Sequence, residues 1–365
     1  MKKIKILHIY KRFYPKSYGG VELFIEDLIQ GLSKYKNIEN IVLCHNKKEN
    51  FINKKINKNL KVFSIKENFE ILRTPISFSF IKYFFKIYKE VDIIHFNYPY
   101  PFADIFAFFI KTKIVTTYHS DIVRQKLAYF VYKTLFFEKL LKVSSVIVCS
   151  SKNYIKSSQT LYKFKKKIIP IPFGIDKVKQ TIKIKPKEKY FLFIGNNRYY
   201  KNLNLLIDVS IKKNLNLKIV TNKSKKNIIL SKRLKNIKNI SFFFDVSNRK
   251  KQNLLSGCLC LVLPSHLRSE AFGYSLLEGL SYGKPLISCD IRTGTSYINK
   301  NNLTGYVVKP NNFKSLQIAM KNMYDEGITK KFSKNSLKRY NDLFTKKKMV
   351  ENYIKVYQKV LNADN

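Results

Sequence analysis

Short apolar runs recur along the whole chain and alternate with stretches in which apolar residues fall at helical spacing. A run bounded by turn residues and too short for a helix predicts a strand buried on both faces. In the first half this pattern predicts strands at 4–9, 41–44, 62–65, 92–96, 114–117 and 146–149. A second series follows at 190–194, 217–220, 240–244, 258–263, 286–289 and 305–308. Strictly alternating strands and helices imply open parallel sheets flanked by helices, hence an α/β fold. The two series meet near Ile171-Pro172-Phe173-Gly174-Ile175-Asp176, before a Lys-rich polar segment that carries Pro186. The expected organisation is two Rossmann-like domains, 1–175 and 176–345, with a cleft between them. In the tail 346–365, Met349, Val350, Tyr353, Ile354, Val356, Tyr357 and Val360 take the spacing of one helix face.

One stretch carries more chemistry than the rest. Residues 269–290, SEAFGYSLLEGLSYGKPLISCD, read as a loop, a helix over 274–282, a glycine stop at Gly283 and a buried strand. The strand before it closes at Pro264. At such a strand-to-helix crossing the first N–H groups of the helix, near Gly273, Tyr274 and Ser275, favour an anion such as phosphate. Gly273 lets that anion approach the backbone. Glu278 lies one turn inside the helix with its Cβ tilted back to the N-terminus, so a sugar diol can donate to it. Glu270 reaches in from the preceding loop.

Three further constellations sit at predicted strand ends. Gly19-Gly20 follows Lys11-Arg12-Phe13-Tyr14-Pro15-Lys16-Ser17-Tyr18 and opens a helix, giving close backbone approach and N–H donors. His119, in Thr116-Thr117-Tyr118-His119-Ser120-Asp121, stands at the C-terminal end of a buried strand, the end that faces ligand in this kind of sheet. Phe193-Ile194-Gly195-Asn196-Asn197-Arg198-Tyr199-Tyr200-Lys201-Asn202 places the cations Arg198 and Lys201 at a predicted strand end, where they favour an anionic ligand. His8, His45, His95 and His266 read as structural.

Bulk composition narrows the class. With 365 residues and 45% hydrophobic content the chain has material for two cores. No window reaches the roughly 18 uncharged apolar residues of a membrane span, and the N-terminus reads as a first strand rather than a signal peptide. Cys44, Cys149, Cys258, Cys260 and Cys289 are odd in number and sit in apolar runs, which points to buried thiols in a cytosolic protein. The net charge is +46, but the lysines are spread along the chain with many Asn and Ile. Nucleic acid, an anionic membrane surface and phosphorylated substrates explain that charge equally well. Phe78-Ser79-Phe80-Ile81-Lys82-Tyr83-Phe84-Phe85-Lys86 and residues 127–142 mix aromatics with Lys, as interfacial or half-buried helices do.

Glu270 and Glu278, eight positions apart around AFGYSLL and followed by EGLSYGKPLIS, resemble the E-x7-E signature of retaining glycosyltransferases with the GT-B fold. The pair alone says little in a chain with 24 acidic residues. The surrounding string and similar motifs in order along nearly the whole chain carry the resemblance, which is to family 4 (glycosyl transferases group 1) of the bacterial surface-polysaccharide type. The resemblance implies two Rossmann-like domains facing a cleft: an acceptor-side domain at 1–175, a nucleotide-sugar domain at 176–345, and a terminal helix at 346–365 crossing back. It implies catalytic roles for His119, Glu270, Arg198 and Lys201. Donor-binding roles fall to Gly19, Gly20, Gly195, Arg198, Lys201, Phe272, Gly273, Tyr274, Ser275 and Glu278. The Gly-Gly loop would sit over the donor phosphates and acceptor, and His119 would meet the donor sugar near its 6-hydroxyl. Asn196 stands where the family has Arg and Asn202 where it has Gly, so Arg198, beside Lys201, is the expected substitute.

The implied reaction transfers a hexose, with mannose a candidate, from a GDP- or UDP-linked donor with retention, the leaving phosphate helping to deprotonate the acceptor. Arg292-Thr293-Gly294-Thr295-Ser296-Tyr297 is similar to the loop of mannosyltransferase-like members and points to GDP. No Asp-x-Asp suits a strand end, so no cofactor and no essential metal are expected. The expected acceptor is a lipid-linked saccharide of O-antigen, capsule or another surface polysaccharide. The expected place is the inner face of the plasma membrane, with the enzyme peripheral on anionic lipid and no specific nucleic acid. Two alternatives stand beside this reading: a sugar-nucleotide epimerase on the same fold, and a non-catalytic basic protein binding nucleic acid or membrane. The E-x7-E context, with His119 and Lys201 intact, favours the transferase.

Overall fold

The computed structural model describes residues 3–13, 19–48, 51–72, 74–122, 138–176 and 188–364. The Gly-Gly loop before Gly19, the 123–126 stretch, most of 127–142 and Pro186 fall outside those residues. The chain forms two compact units, Met1–Gly174 with Lys346–Asn365 and Ile175–Thr345.

In the first unit the strands are β1 (Ile4–Ile9), β2 (Ile38–Asn46), β3 (Phe51–Asn57), β4 (Leu60–Lys66), β5 (Phe69–Ile71), β6 (Thr74–Ile76), β7 (Ile93–Tyr98), β8 (Lys113–Tyr118), β9 (Val146–Cys149) and β10 (Ile168–Pro170). Eight of the described strands form one sheet in the order β10-β9-β8-β7-β1-β2-β4-β3. Its pairings are parallel except at one edge, where β3 runs antiparallel to β4. That edge departs from the all-parallel expectation. Phe51-Ile52-Asn53-Lys54-Lys55-Ile56-Asn57 is mostly exposed, and a solvated edge strand needs no buried apolar run. β5 and β6 form a separate two-stranded ribbon.

In the second unit β11 (Phe191–Ile194), β12 (Leu217–Thr221), β13 (Ile240–Phe244), β14 (Cys260–Leu263), β15 (Leu286–Cys289) and β16 (Gly305–Val308) pair wholly in parallel, in the order β13-β12-β11-β14-β15-β16. The central runs FLFI, CLVL and LISC are buried throughout, which is why they read as unbroken apolar strings. β14 begins two residues later than the apolar run suggests, because Cys258 caps the preceding helix Asn248–Gly257. β7 likewise begins after Asp92, whose carboxylate accepts the Lys5 N–H at 2.8 Å.

Both sheets are doubly wound, and each reverses strand order beside its first strand: between β1 and β7, and between β11 and β14. In open α/β sheets ligands bind outside the carboxyl ends of the strands at such switch points. The tail helix Lys346–Leu361 belongs to the first unit, where it lies against the helix Gly20–Leu32. Its face Met349, Val350, Tyr353, Val356, Tyr357 and Val360 is buried, and Lys346 Nζ meets Asp27 at 2.6 Å.

Candidate functional site

Seven of the described helices are capped by a side chain, whereas those entered from β1, β11 and β14 are not, and neither are the short helices Pro101–Asp104 and Gly294–Ile298. Ser77, Ser151, Ser158, Ser224, Ser247, Asn312 and Asp325 close their helices by accepting a backbone N–H. The helices entered from β1, β11 and β14 are Gly20–Leu32, Leu203–Lys212 and Tyr274–Ser281. They start at Gly19, Asn202 and Gly273, none of which supplies a side-chain cap. Such a start keeps its partial positive charge for a ligand.

In the second unit the loops after β11 and β14 are tied across the switch point. His266 N–H donates to the Tyr200 carbonyl at 2.9 Å, and the Tyr199 and Ser269 hydroxyls lie 3.3 Å apart. Lys201 Nζ meets Glu270 Oε2 at 2.8 Å, with both side chains largely buried. Ser265 Oγ donates to the same carboxylate oxygen at 3.3 Å. Below them Thr293 Oγ1 donates to the Glu270 carbonyl at 2.8 Å, and Gly294 N–H donates to Ala271 O at 2.8 Å. Glu270 is therefore held by backbone and side chain together.

Gly195, at φ +147°, runs so close to this pair that a Cβ there would stand 3.1 Å from Lys201 Nζ. Gly273 caps its helix at φ +92°, a conformation that side chains strain to adopt. Phe272 and Ser275 are buried beside it, and Ser275 Oγ has no hydrogen-bond partner among the described residues. Arg198 is exposed and forms no ion pair among the described residues, so its charge is uncompensated. Glu278 is engaged elsewhere: its Oε1 meets Lys251 Nζ at 2.6 Å, from the helix Asn248–Gly257. Lys251 has no spacing that would single it out in the sequence. Ser265 has one weak signal, its place just past a buried strand.

In the first unit His119 follows β8, beside the switch point. It is 3% exposed, its Nε2 lies 2.9 Å from Asn97 Oδ1 on β7, and its Nδ1 has no partner among the described residues. The rings of Phe24, Phe173 and Tyr10 surround it at 5.0, 5.5 and 6.3 Å between centroids. Burial lowers its pKa to about 3, so the ring is neutral at physiological pH. His8, His45 and His95 are buried too, with His95 between Thr117 and Tyr357 at 2.7 and 2.8 Å. Gly19 and Gly20 start their helix with Gly19 at φ −120°, which any residue adopts. A Cβ on Gly19 would meet the Glu22 carboxylate, the far end of a flexible side chain that can swing aside.

The glycosyl transferases group 1 family matches residues 174–339, and Glycosyltransferase Family 4 matches residues 18–179. O-antigen chain mannosyltransferase C of Escherichia coli is 34% identical over 99% of this chain and 100% of its own length. D-rhamnosyltransferase WbpZ of Pseudomonas aeruginosa is 32% identical, covering 94% of this chain and 92% of its own. Among solved structures, Anabaena HepE in complex with UDP and glucose superposes with a TM-score of 0.73 at 14% identity, over 97% of this chain and 99% of that one. At that identity the likeness speaks for the fold alone.

Proposed function

This chain belongs to the family 4 glycosyltransferases (glycosyl transferases group 1), and on that premise we propose that it moves a hexose, mannose first among candidates, from a nucleotide-diphosphate sugar to a lipid-linked saccharide, with retention. The observation that carries the reading is the buried Lys201–Glu270 pair at the switch point, beside Gly195 and the glycine-capped helix start. Transfer leaves a diphosphate whose growing charge needs fixed cations, and preorganised cations stabilise it without reorganising. Lys201 supplies one, steered by Glu270. The charge of Lys201 is already answered by that carboxylate, so Arg198 supplies the net positive charge in place of Asn196. Its guanidinium suits a phosphate's paired oxygens. Glu278, oriented by Lys251, takes the ribose hydroxyls, and the helix start at Gly273 takes a phosphate.

His119 serves as a neutral hydrogen-bonding group to the donor sugar, since its depressed pKa keeps it uncharged. The leaving phosphate receives the acceptor proton, and no metal is assigned a step. The names of the two bacterial relatives, a mannosyltransferase of O-antigen chains and a D-rhamnosyltransferase, support surface-polysaccharide assembly. Among the described residues no helix is long and apolar enough to cross a membrane. The proposed lipid-linked acceptor goes with peripheral attachment at the cytoplasmic face, which is part of the same proposal.

A donor panel tests the reading. GDP-mannose should protect the protein against heat and, with a lipid-linked saccharide, give a product of unchanged anomeric configuration. Protection by UDP-glucose instead would move the donor assignment while keeping the reaction. If no nucleotide-diphosphate hexose protects the protein or is consumed, the reading fails.

A further inference from the structure

The first unit exposes apolar side chains along the ribbon of β5 and β6. The ribbon of β5 and β6 turns at Leu72, at φ +48°. Strand alternation puts Phe69 and Ile71 on one face of it and Glu70 on the other. Phe69, Ile71 and Leu72 are 45%, 52% and 54% exposed. A two-stranded ribbon is marginal in water unless one face is covered. Its other face is tied down, because Glu70 meets Arg12 at 3.2 Å and Lys47 at 3.6 Å.

The helix Phe78–Ile87 extends this surface. Its first N–H donates to Asn68 Oδ1 at 3.0 Å, and the Phe78 ring lies 6.5 Å from that of Phe69. Phe80, Phe84 and Ile87 are buried, whereas Phe78 is 67% exposed. Lys82 and Lys86 follow it at successive turns on the same stripe, both exposed and neither in an ion pair among the described residues. On the other side Phe51 of the edge strand β3 stacks on Tyr83 of this helix at 4.5 Å, and exposed Lys55 shares the strand face of Phe51.

We infer that Phe69, Ile71, Leu72 and Phe78 form a wedge that enters an anionic phospholipid bilayer, with Lys82, Lys86 and Lys55 resting on its headgroups. The inference rests on the peripheral attachment proposed above and gives it a location. Charge decides the occupant. A docked protein would favour a packed apolar centre depleted of lysine, whereas single aromatic and aliphatic tips interleaved with lysines suit the headgroup boundary. The acidic side chains of the ribbon face away, held by Arg12, and the chain as a whole carries +46.

The test is flotation of the full chain with vesicles of phosphatidylethanolamine and phosphatidylglycerol, against vesicles of phosphatidylcholine. The expected result is binding to the anionic vesicles only. Phe69→Ser with Ile71→Ser, and separately Phe78→Ser, should each weaken it about tenfold with an unchanged melting temperature, since these side chains are 45%, 52% and 67% exposed. Lys82→Glu with Lys86→Glu should weaken it further, and turnover on a detergent-solubilised acceptor should stay at the parent level. Parent-like flotation of the serine and glutamate variants would overturn the wedge while leaving peripheral attachment in place. Absence of any flotation would overturn both. A parent that sediments as a dimer and a Phe69→Ser, Ile71→Ser variant that sediments as a monomer, without lipid, would assign the surface to a second copy instead.

Discussion

The two units solve the same topological problem with opposite electrostatics. At its switch point the second unit places ions: Lys201 against Glu270, Lys251 against Glu278, and Arg198 with no counter-charge among the described residues. The first unit places neutral polar groups in an aromatic setting: His119 on Asn97 amid Phe24, Phe173 and Tyr10, and His95 between two hydroxyls. Fixed charges suit a diphosphate, whose charge grows as the donor breaks. A neutral, dry lining suits hydroxyl groups, which need orientation more than charge. The difference teaches that a doubly wound sheet sets where a site lies, while the residues at its strand ends set what the site can hold.

The sharpest way to separate the units is acid. Burial lowers His8 to about 4, lowers His45 and His119 to about 3, and lowers His95 as well, and all four belong to the first unit. Below their ordinary pKa of about 6.5 the unfolded chain binds protons that the folded chain refuses, so folding stability falls as pH drops. Glu26 opposes this. Burial, with Asp27 nearby, raises it to about 7, so the stability it contributes is present in acid and lost as pH rises through 7. Each buried histidine is worth about 1.4 kcal/mol per pH unit. Asp104, raised well above its ordinary value by burial, opposes the histidines in the same way, so four histidines stand against two carboxyls and the balance is on the order of 3 kcal/mol per pH unit just below pH 6.5. The second unit's only histidine, His266, is partly exposed and much less affected. Hydrogen exchange read peptide by peptide should show 3–174 losing protection between pH 7 and 5 while 188–345 keeps it. Equal loss in both units would break the contrast.

Charge removal comes next. Lys201→Ala and Arg198→Ala should each lower turnover at saturating donor by about 100-fold, the scale of one preorganised charge stabiliser. Asn196→Ala should cost far less. Lys201→Ala also leaves Glu270 buried without its cation, so it should lower the melting temperature, whereas the exposed Arg198→Ala should not. Near-normal turnover for Arg198→Ala would show that another cation meets the diphosphate.

These contrasts also explain what could be read from the chain beforehand. Buried parallel strands announce themselves because both faces are apolar, and FLFI, CLVL and LISC needed no partner to be recognised. β3 and β10 escaped because an exposed edge with lysines, and three residues ending in proline, lack that pattern. Glu270, Glu278 and the glycines that flank them stood out because they share one short segment. Lys251 did not, since its bond to Glu278 joins residues 27 apart on two helices. The burial of His119 was equally hidden, because Phe24 and Phe173 reach it from distant parts of the chain.

The smallest effect is the finest probe of the second unit. If Glu278 holds the donor ribose and Lys251 only orients it, the two should differ in kind. Glu278→Gln removes a charged acceptor and should weaken donor binding by about 1.5 kcal/mol, roughly tenfold in Kd. Lys251→Met keeps the stem packed and should weaken binding by only a few-fold. In the double variant the lysine's contribution should vanish, because an orienting group has nothing left to orient. Calorimetry with GDP and UDP on the four proteins measures this coupling. Additive losses would mean that Lys251 touches the nucleotide itself, and unchanged binding by Glu278→Gln would remove Glu278 from the donor site.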